Sequence, residues 1–191
     1  TKDGILAALA QMAETVQPDD TFLFYAATHG VRSQGTGRFL LVPQDLASIA
    51  SWSAIDAAAI DESTLVAALA RIPARDALLV LDTCYAGEVS AENLANIGHE
   101  TGRYLLAAAQ PDQEALDSFD NKNGVLVYAL REALQGRAAH DDSGTITALS
   151  LGEYVSHRVG ELARKKGGTQ DAMFQAAQRQ LESFPVAKVM P

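Results

Sequence analysis

The sequence predicts an α/β domain: a mostly parallel central sheet with helices on both faces. Three observations carry the prediction. Residues 21–27, 77–82 and 104–109 are apolar runs of strand length without alternation, as in strands buried on both faces. Stretches of helical periodicity lie between and after them. Strands that alternate with helices pair in parallel through right-handed crossovers.

The elements follow in chain order. Residues 3–16 set Ile5, Leu6, Leu9, Met12, Ala13 and Val16 on one helical stripe, and Gln17-Pro18-Asp19-Asp20 turns the chain. The run at 21–27 is apolar on both faces, so a strand is expected on each side of it. A polar, glycine-rich loop is expected over 28–37. Arg38-Phe39-Leu40-Leu41-Val42 is a short strand stopped by Pro43. It follows too soon for a parallel crossover, so the chain offers no second neighbour for 21–27. The Ala/Ser-rich stretch 44–60 carries no assignable pattern. Residues 61–72 read as a helix with acidic residues in its first turn, ended by Pro73. The second core strand, 77–82, precedes a short helix at 91–97 and the third core strand, 104–109. Helices at 124–134 and 149–166 are closed by Gly136 and Gly167, and 184–189 is a candidate last strand. No internal repeat or linker divides the chain, so 1–191 reads as one domain.

Composition narrows the function. Of 191 residues, 48% are hydrophobic and 20% charged, which is globular composition. The net charge of -9 argues against a broad nucleic-acid surface. An acidic surface suits a cationic partner, or serves solubility alone. No apolar run approaches the ~20 residues of a membrane helix, and Thr1-Lys2-Asp3-Gly4 enters the first helix without a secretory pattern. Cys84 is the single cysteine, so no internal disulfide forms. A lone thiol fits a reducing, cytoplasmic compartment and is either a nucleophile or an inert core residue.

Chemistry in an open parallel sheet gathers at the carboxyl ends of its strands. One apolar strand ends in Thr28-His29-Gly30, another in Asp82-Thr83-Cys84-Tyr85-Ala86-Gly87. As parallel neighbours these strands would put His29 beside Cys84. The imidazole would then take the thiol proton and later protonate a leaving amine. The backbone N–H groups of Gly30 and Cys84 are candidate oxyanion donors. Either residue alone is ordinary: a buried cysteine is a small core residue, and a histidine near a strand end is commonly structural. Matched strand ends favour the pair. Other chemistries lack residues. A cysteine phosphatase needs an arginine six positions after the cysteine, where Ser90 stands. Asp141-Asp142-Ser143-Gly144-Thr145-Ile146 hints at a calcium loop, but Ala139 and Ser150 occupy its first and twelfth ligand positions. Gly35-Thr36-Gly37 does not join a strand to a helix, so it is no dinucleotide fingerprint. His29, His99, His140 and His157 are scattered, so no metal site is expected. No cofactor is called for, and calcium activation finds no supporting site.

Residues 20–30, DTFLFYAATHG, and 78–87, LLVLDTCYAG, resemble two motifs of the caspase-like cysteine peptidase superfamily, of the prokaryotic caspase and metacaspase (orthocaspase) type. The family has an apolar strand ending in His-Gly and another ending in Asp-x-Cys-x-x-Gly, with the histidine ~50 residues upstream in caspases. Residues 104–117, 124–130 and 144–155 match more weakly, so the resemblance spans nearly the whole chain. It implies a caspase-like three-layer sandwich and an endopeptidase acting through His29 and Cys84. It also implies an S1 pocket in which Asp82, with Asp112 as a second candidate, receives Arg or Lys at P1. The alternative for Asp82 is a structural carboxylate capping the following turn. Two departures stand out. Metacaspases often carry Ser-Gly before the histidine, where this chain has Ala27-Thr28, so a pocket hydroxyl is either missing or supplied by Thr28. The family's first strands are also absent. The chain is therefore expected to be a fragment or processed subunit, completed by an N-terminal fragment of the same precursor that pairs with 21–27. Self-processing is expected at Arg103 or at Arg164-Lys165-Lys166-Gly167-Gly168. The rival readings are a non-catalytic caspase-like adaptor and an α/β enzyme of other chemistry.

Overall fold

The computed structural model describes residues 1–46, 51–86, 91–110, 113, 115–116, 119–120, 122–176 and 183–189. The first helix, α1 (Lys2–Thr15), starts where the Thr1 hydroxyl accepts the Gly4 N–H. It leads into β1 (Thr21–Arg32), which runs on through His29 and turns back as a hairpin into β2 (Phe39–Val42). The expected loop over 28–37 is thus confined to the hairpin turn, closed by the Ser33 N–H on the Arg38 carbonyl, with Gly37 at φ 70°. Residues 44–60, unpatterned in sequence, include α2 (Trp52–Ala58), capped by Ser51, before β3 (Ile60–Asp61). Asp61 starts α3 (Glu62–Ala70) by accepting from the Thr64 N–H and from the Ser63 and Thr64 hydroxyls. Burial pushes its carboxyl up, but these hydrogen bonds outweigh it and hold the pKa at about 2.

The second half supplies β4 (Asp76–Ala86), α4 (Ala91–Thr101), β5 (Tyr104–Ala107) and α5 (Val125–Glu132). A wide turn over Ala133–Arg137, with Gly136 at φ 94°, ends α5. Then come β6 (Thr145–Thr147), α6 (Ala148–Lys165), β7 (Met173–Gln175) and β8 (Pro185–Lys188). The six-stranded sheet has the order β3-β2-β1-β4-β5-β7. Its centre, β1-β4-β5, is parallel; β2, β3 and β7 flank it antiparallel. The last strand joins no central neighbour: β8 pairs with β6 in a separate two-stranded sheet.

Three layers result. Leu9, Leu65, Leu69 and Ile97, from α1, α3 and α4, pack on Phe22, Leu79, Leu81 and Leu105. On the opposite face, Val125, Leu126, Val155 and Val159, from α5 and α6, cover Leu78, Val80, Tyr104 and Leu106. Successive residues of β4 therefore enter different cores, and that strand fulfils the expectation of burial on both faces.

Strand β1 does not. Its burial alternates, with Thr21, Leu23, Tyr25, Ala27 and His29 exposed; Leu23 is 60% and Tyr25 45% accessible. The core on that face draws on β4 and β5, with no residue of β1 in it. The edge is equally uneven. β4 pairs with β1 from Thr21 to Val31, but β2 pairs only with 29–32. Among the described residues, no strand pairs with 21–28 on that side. The expectation that the chain offers no second neighbour for 21–27 holds among the described residues, but the strand runs on past 27 and gains a neighbour there. An antiparallel hairpin needs only a tight turn, not a crossover, and β2 covers the carboxyl end of the strand.

Arg103 is a second correction. Far from an exposed cleavage point, it is 5% accessible. Its guanidinium donates to the Ile72 carbonyl at 2.6 Å and lies 5.6 Å from the centre of the Phe22 ring. The basic stretch at 164–166 closes α6 and is exposed. The loop at 141–146 is a self-satisfied turn. The Asp141 carboxylate accepts the Ser143 and Thr145 N–H groups and the Ser143 hydroxyl.

Candidate functional site

The β1–β4 ladder runs in register from Thr21↔Asp76 to Val31↔Ala86. At its carboxyl end Ala27 faces Asp82 and His29 faces Cys84 as Cα partners. The two residues singled out from opposite ends of the motif pair are thus lateral neighbours on parallel strands, which is the juxtaposition a Cys–His pair requires. His29 is exposed.

His29 and Asp82 also line one open cavity of about 220 Å³, together with Ala27, Thr28, Ala115, Leu116 and Gly124. The floor is the sheet. The far wall is the segment that follows β5. That wall is tied down by Gln170, 1% accessible, whose amide donates to the Ala108 carbonyl while its carbonyl oxygen accepts the Leu116 N–H. Leu116 in turn accepts the Val125 N–H at the start of α5. Gln113 and Asp171 add a second pair of hydrogen bonds between the same two segments.

Beside this cavity, the Tyr25 hydroxyl donates to Asp82 Oδ2 at 3.1 Å. Burial first, and then the Asp82 charge and hydrogen bond, push the Tyr25 phenol well above its ordinary value, so it stays a donor. Thr28 does not supply the pocket hydroxyl that Ala27 lacks. It sits on the alternate face of β1, and its hydroxyl donates to the Val42 carbonyl in β2.

Gly30 is needed for a reason other than substrate approach. A Cβ there would stand 2.7 Å from the Phe39 ring, so the glycine admits Phe39 against the strand. Gly30 is flanked by Leu41 on one side and Tyr85 on the other, so its N–H faces a strand either way. Cys84 is comparable. Leu81 turns its carbonyl to the β5 side, where it accepts the Ala108 N–H, and backbone direction alternates along a strand. Residues 82 and 84 therefore turn their peptide groups to β1. Neither amide is presented to the cavity while the ladder is closed.

The structure thus brings together His29, Asp82 and the Cys84 backbone position. Asp112 lies outside the described residues. Tyr25 and Gln170 escaped the sequence reading. Tyr25 was one aromatic residue within an apolar run; counting by twos back from His29 puts it on the His29 face. Gln170 had no signal, because its partners are backbone groups far away in sequence. Among the described residues, no cluster of three or more His, Cys, Asp or Glu side chains could hold a metal ion, and no helix is long and apolar enough to cross a membrane.

Residues 1–182 match the family model of the caspase domain, Peptidase_C14. Among solved structures, the crystal structure of protein GSU0716 from Geobacter sulfurreducens is similar at a TM-score of 0.61 and 15% identity. The match covers 100% of this chain and 80% of that one, and it speaks for the fold alone. No curated protein matches the sequence.

Proposed function

The chain belongs to the caspase domain family, and from that premise we propose that it is a cysteine endopeptidase cleaving after Arg or Lys, with Cys84 as nucleophile and His29 as general base. The observation that carries the proposal is the register. His29↔Cys84 sit side by side at the carboxyl ends of parallel strands, and Asp82 stands two residues back in the cavity His29 lines.

The chemistry follows from those roles. His29 takes the Cys84 thiol proton, and the sulfur attacks the scissile carbonyl, forming a C–S bond as the carbonyl π electrons move to oxygen. Collapse of that oxyanion breaks the C–N bond. His29 hands its proton to the departing amine, leaving a thioester. Water, deprotonated by the same imidazole, attacks the thioester, and Cys84 leaves as the thiol. No cofactor enters any of these steps. Asp82 offers the P1 side chain a carboxylate, which favours a cation and repels an acidic residue; Asp112 is proposed as a second acidic contact. The Gly30 and Cys84 amides are proposed to stabilise the oxyanion, which would need the β1–β4 ladder to part at its end.

The edge of β1 at 21–28, which no strand pairs among the described residues, is proposed to take an extended segment from the N-terminal part of the same precursor. Leu23 and Tyr25 lie exposed along that strand, and an unpaired apolar edge is a template for strand addition. The lone thiol suits a cytoplasmic setting.

The test is a panel of fluorogenic peptides differing only at P1, run beside labelling with a peptidyl-Arg electrophile. Turnover after Arg and Lys, with label at Cys84, is expected. Asp82→Asn should lower kcat/KM on basic substrates about a hundredfold while leaving labelling by a small neutral thiol reagent intact. A preference for P1 Asp would overturn the pocket assignment. Absence of both turnover and label would leave a non-catalytic adaptor.

A further inference from the structure

Two hydroxyl groups of β1, those of Thr28 and Tyr25, could in principle govern the pocket, and the structure sorts them. Ala27, opposite Asp82, has none. Thr28 turns its hydroxyl to Val42. Tyr25 stands one two-residue step before Ala27 on the same face of β1 and reaches Asp82 with its phenol.

We propose that Tyr25 is a positioning residue that fixes the plane of the Asp82 carboxylate and thereby selects Arg over Lys at P1, an inference that rests on the peptidase function proposed above. The phenol holds Oδ2 and so limits rotation of the carboxylate about its last bond. A planar guanidinium binds a carboxylate well only when the two planes align, whereas an ammonium is a compact point charge that tolerates rotation. Locking the plane therefore benefits arginine more than lysine. The phenol, whose proton is held tightly, neither adds charge to the pocket nor takes part in bond making. It acts through Asp82.

The experiment compares the intact chain with Tyr25→Phe on paired peptides that end in Arg or Lys at P1, with the iodoacetamide alkylation rate of Cys84 as a control. Loss of the hydrogen bond to a charged partner predicts a rise in KM of roughly tenfold for the Arg peptide, a smaller rise for the Lys peptide, and kcat nearly constant. Alkylation should be unchanged. The double variant Tyr25→Phe/Asp82→Asn should be no worse than Asp82→Asn alone, since a residue acting only through Asp82 has nothing left to position. An unchanged Arg/Lys ratio in Tyr25→Phe, an equal loss on both substrates, or additive losses in the double variant would overturn the proposal while the peptidase function stands. Should the unmutated chain fail to cleave after any basic residue, that function falls, and the role of Tyr25 falls with it.

Discussion

β1 and β4 are nearly interchangeable as sequences: TFLFYAATHG and DALLVLDTCYA are both apolar runs that end in polar chemistry. Their surroundings differ sharply. β4 has a parallel strand on each side and feeds a core on each face. β1 has a full neighbour on one side, four paired residues on the other, and one face open to solvent. An apolar run therefore reports what a strand can be buried against, not what is there. The difference also divides the proposed site, since the proposed nucleophile comes from the enclosed strand and the proposed base, with the tyrosine bonded to Asp82, from the open one.

The sharpest way to break that comparison is at the proposed dyad. Cys84→Ala on the enclosed strand should abolish peptide hydrolysis by at least about a thousandfold, and His29→Ala on the open strand should lose nearly as much, because the two act as a unit. Retained hydrolysis in either variant would remove the mechanism. Stability should separate the strands where catalysis joins them. Leu79→Ala, fully buried in β4, is expected to cost about 2–5 kcal/mol, whereas Leu23→Ala, largely exposed in β1, should stay within about 0.5 kcal/mol. Urea unfolding of both variants measures the contrast, and equal losses would show that β1 is covered in solution.

A subtler probe places a charge on the open strand. Leu23→Lys should leave the unfolding midpoint nearly unchanged but reduce concentration-dependent association, as charges on edge strands do; light scattering across a dilution series reads it. The smallest expected effect concerns self-cleavage. Mass spectrometry of aged active protein should find cuts around 164–166 and none at Arg103, which is buried together with Tyr104 after it. Cleavage at Arg103 ahead of any other site would mean that this corner of the core opens readily.

The layered α/β fold was legible because its signals are periodic and local: helical stripes, apolar runs and their glycine and proline stops. The juxtaposition of His29 with Cys84 was legible because the two apolar strands end in polar residues where a parallel sheet exposes functional groups, whereas Asp82 was singled out only by the family resemblance. What escaped was non-local or relational. The hairpin that extends β1 past His29 depends on the turn at Ser33–Arg38, whose polar residues read as loop. The burial of Arg103 depends on a carbonyl at Ile72 and a ring at Phe22, both remote in sequence. The exposure of Leu23 depends on which strands the helices cover, and no residue in the run encodes that.

The Gln170 clamp sets a timetable. The cavity needs Thr28 and His29 from the first strand, Asp82 from the fourth, Leu116 and Gly124 from the wall, and Gln170 to hold that wall to Ala108 and Leu116. Such distant contacts form late, after the loop entropy between them has been overcome. During synthesis, His29 and Cys84 leave the ribosome well before Gln170 does. A growing chain thus carries Cys84 before Gln170 is there to hold the cavity wall in place.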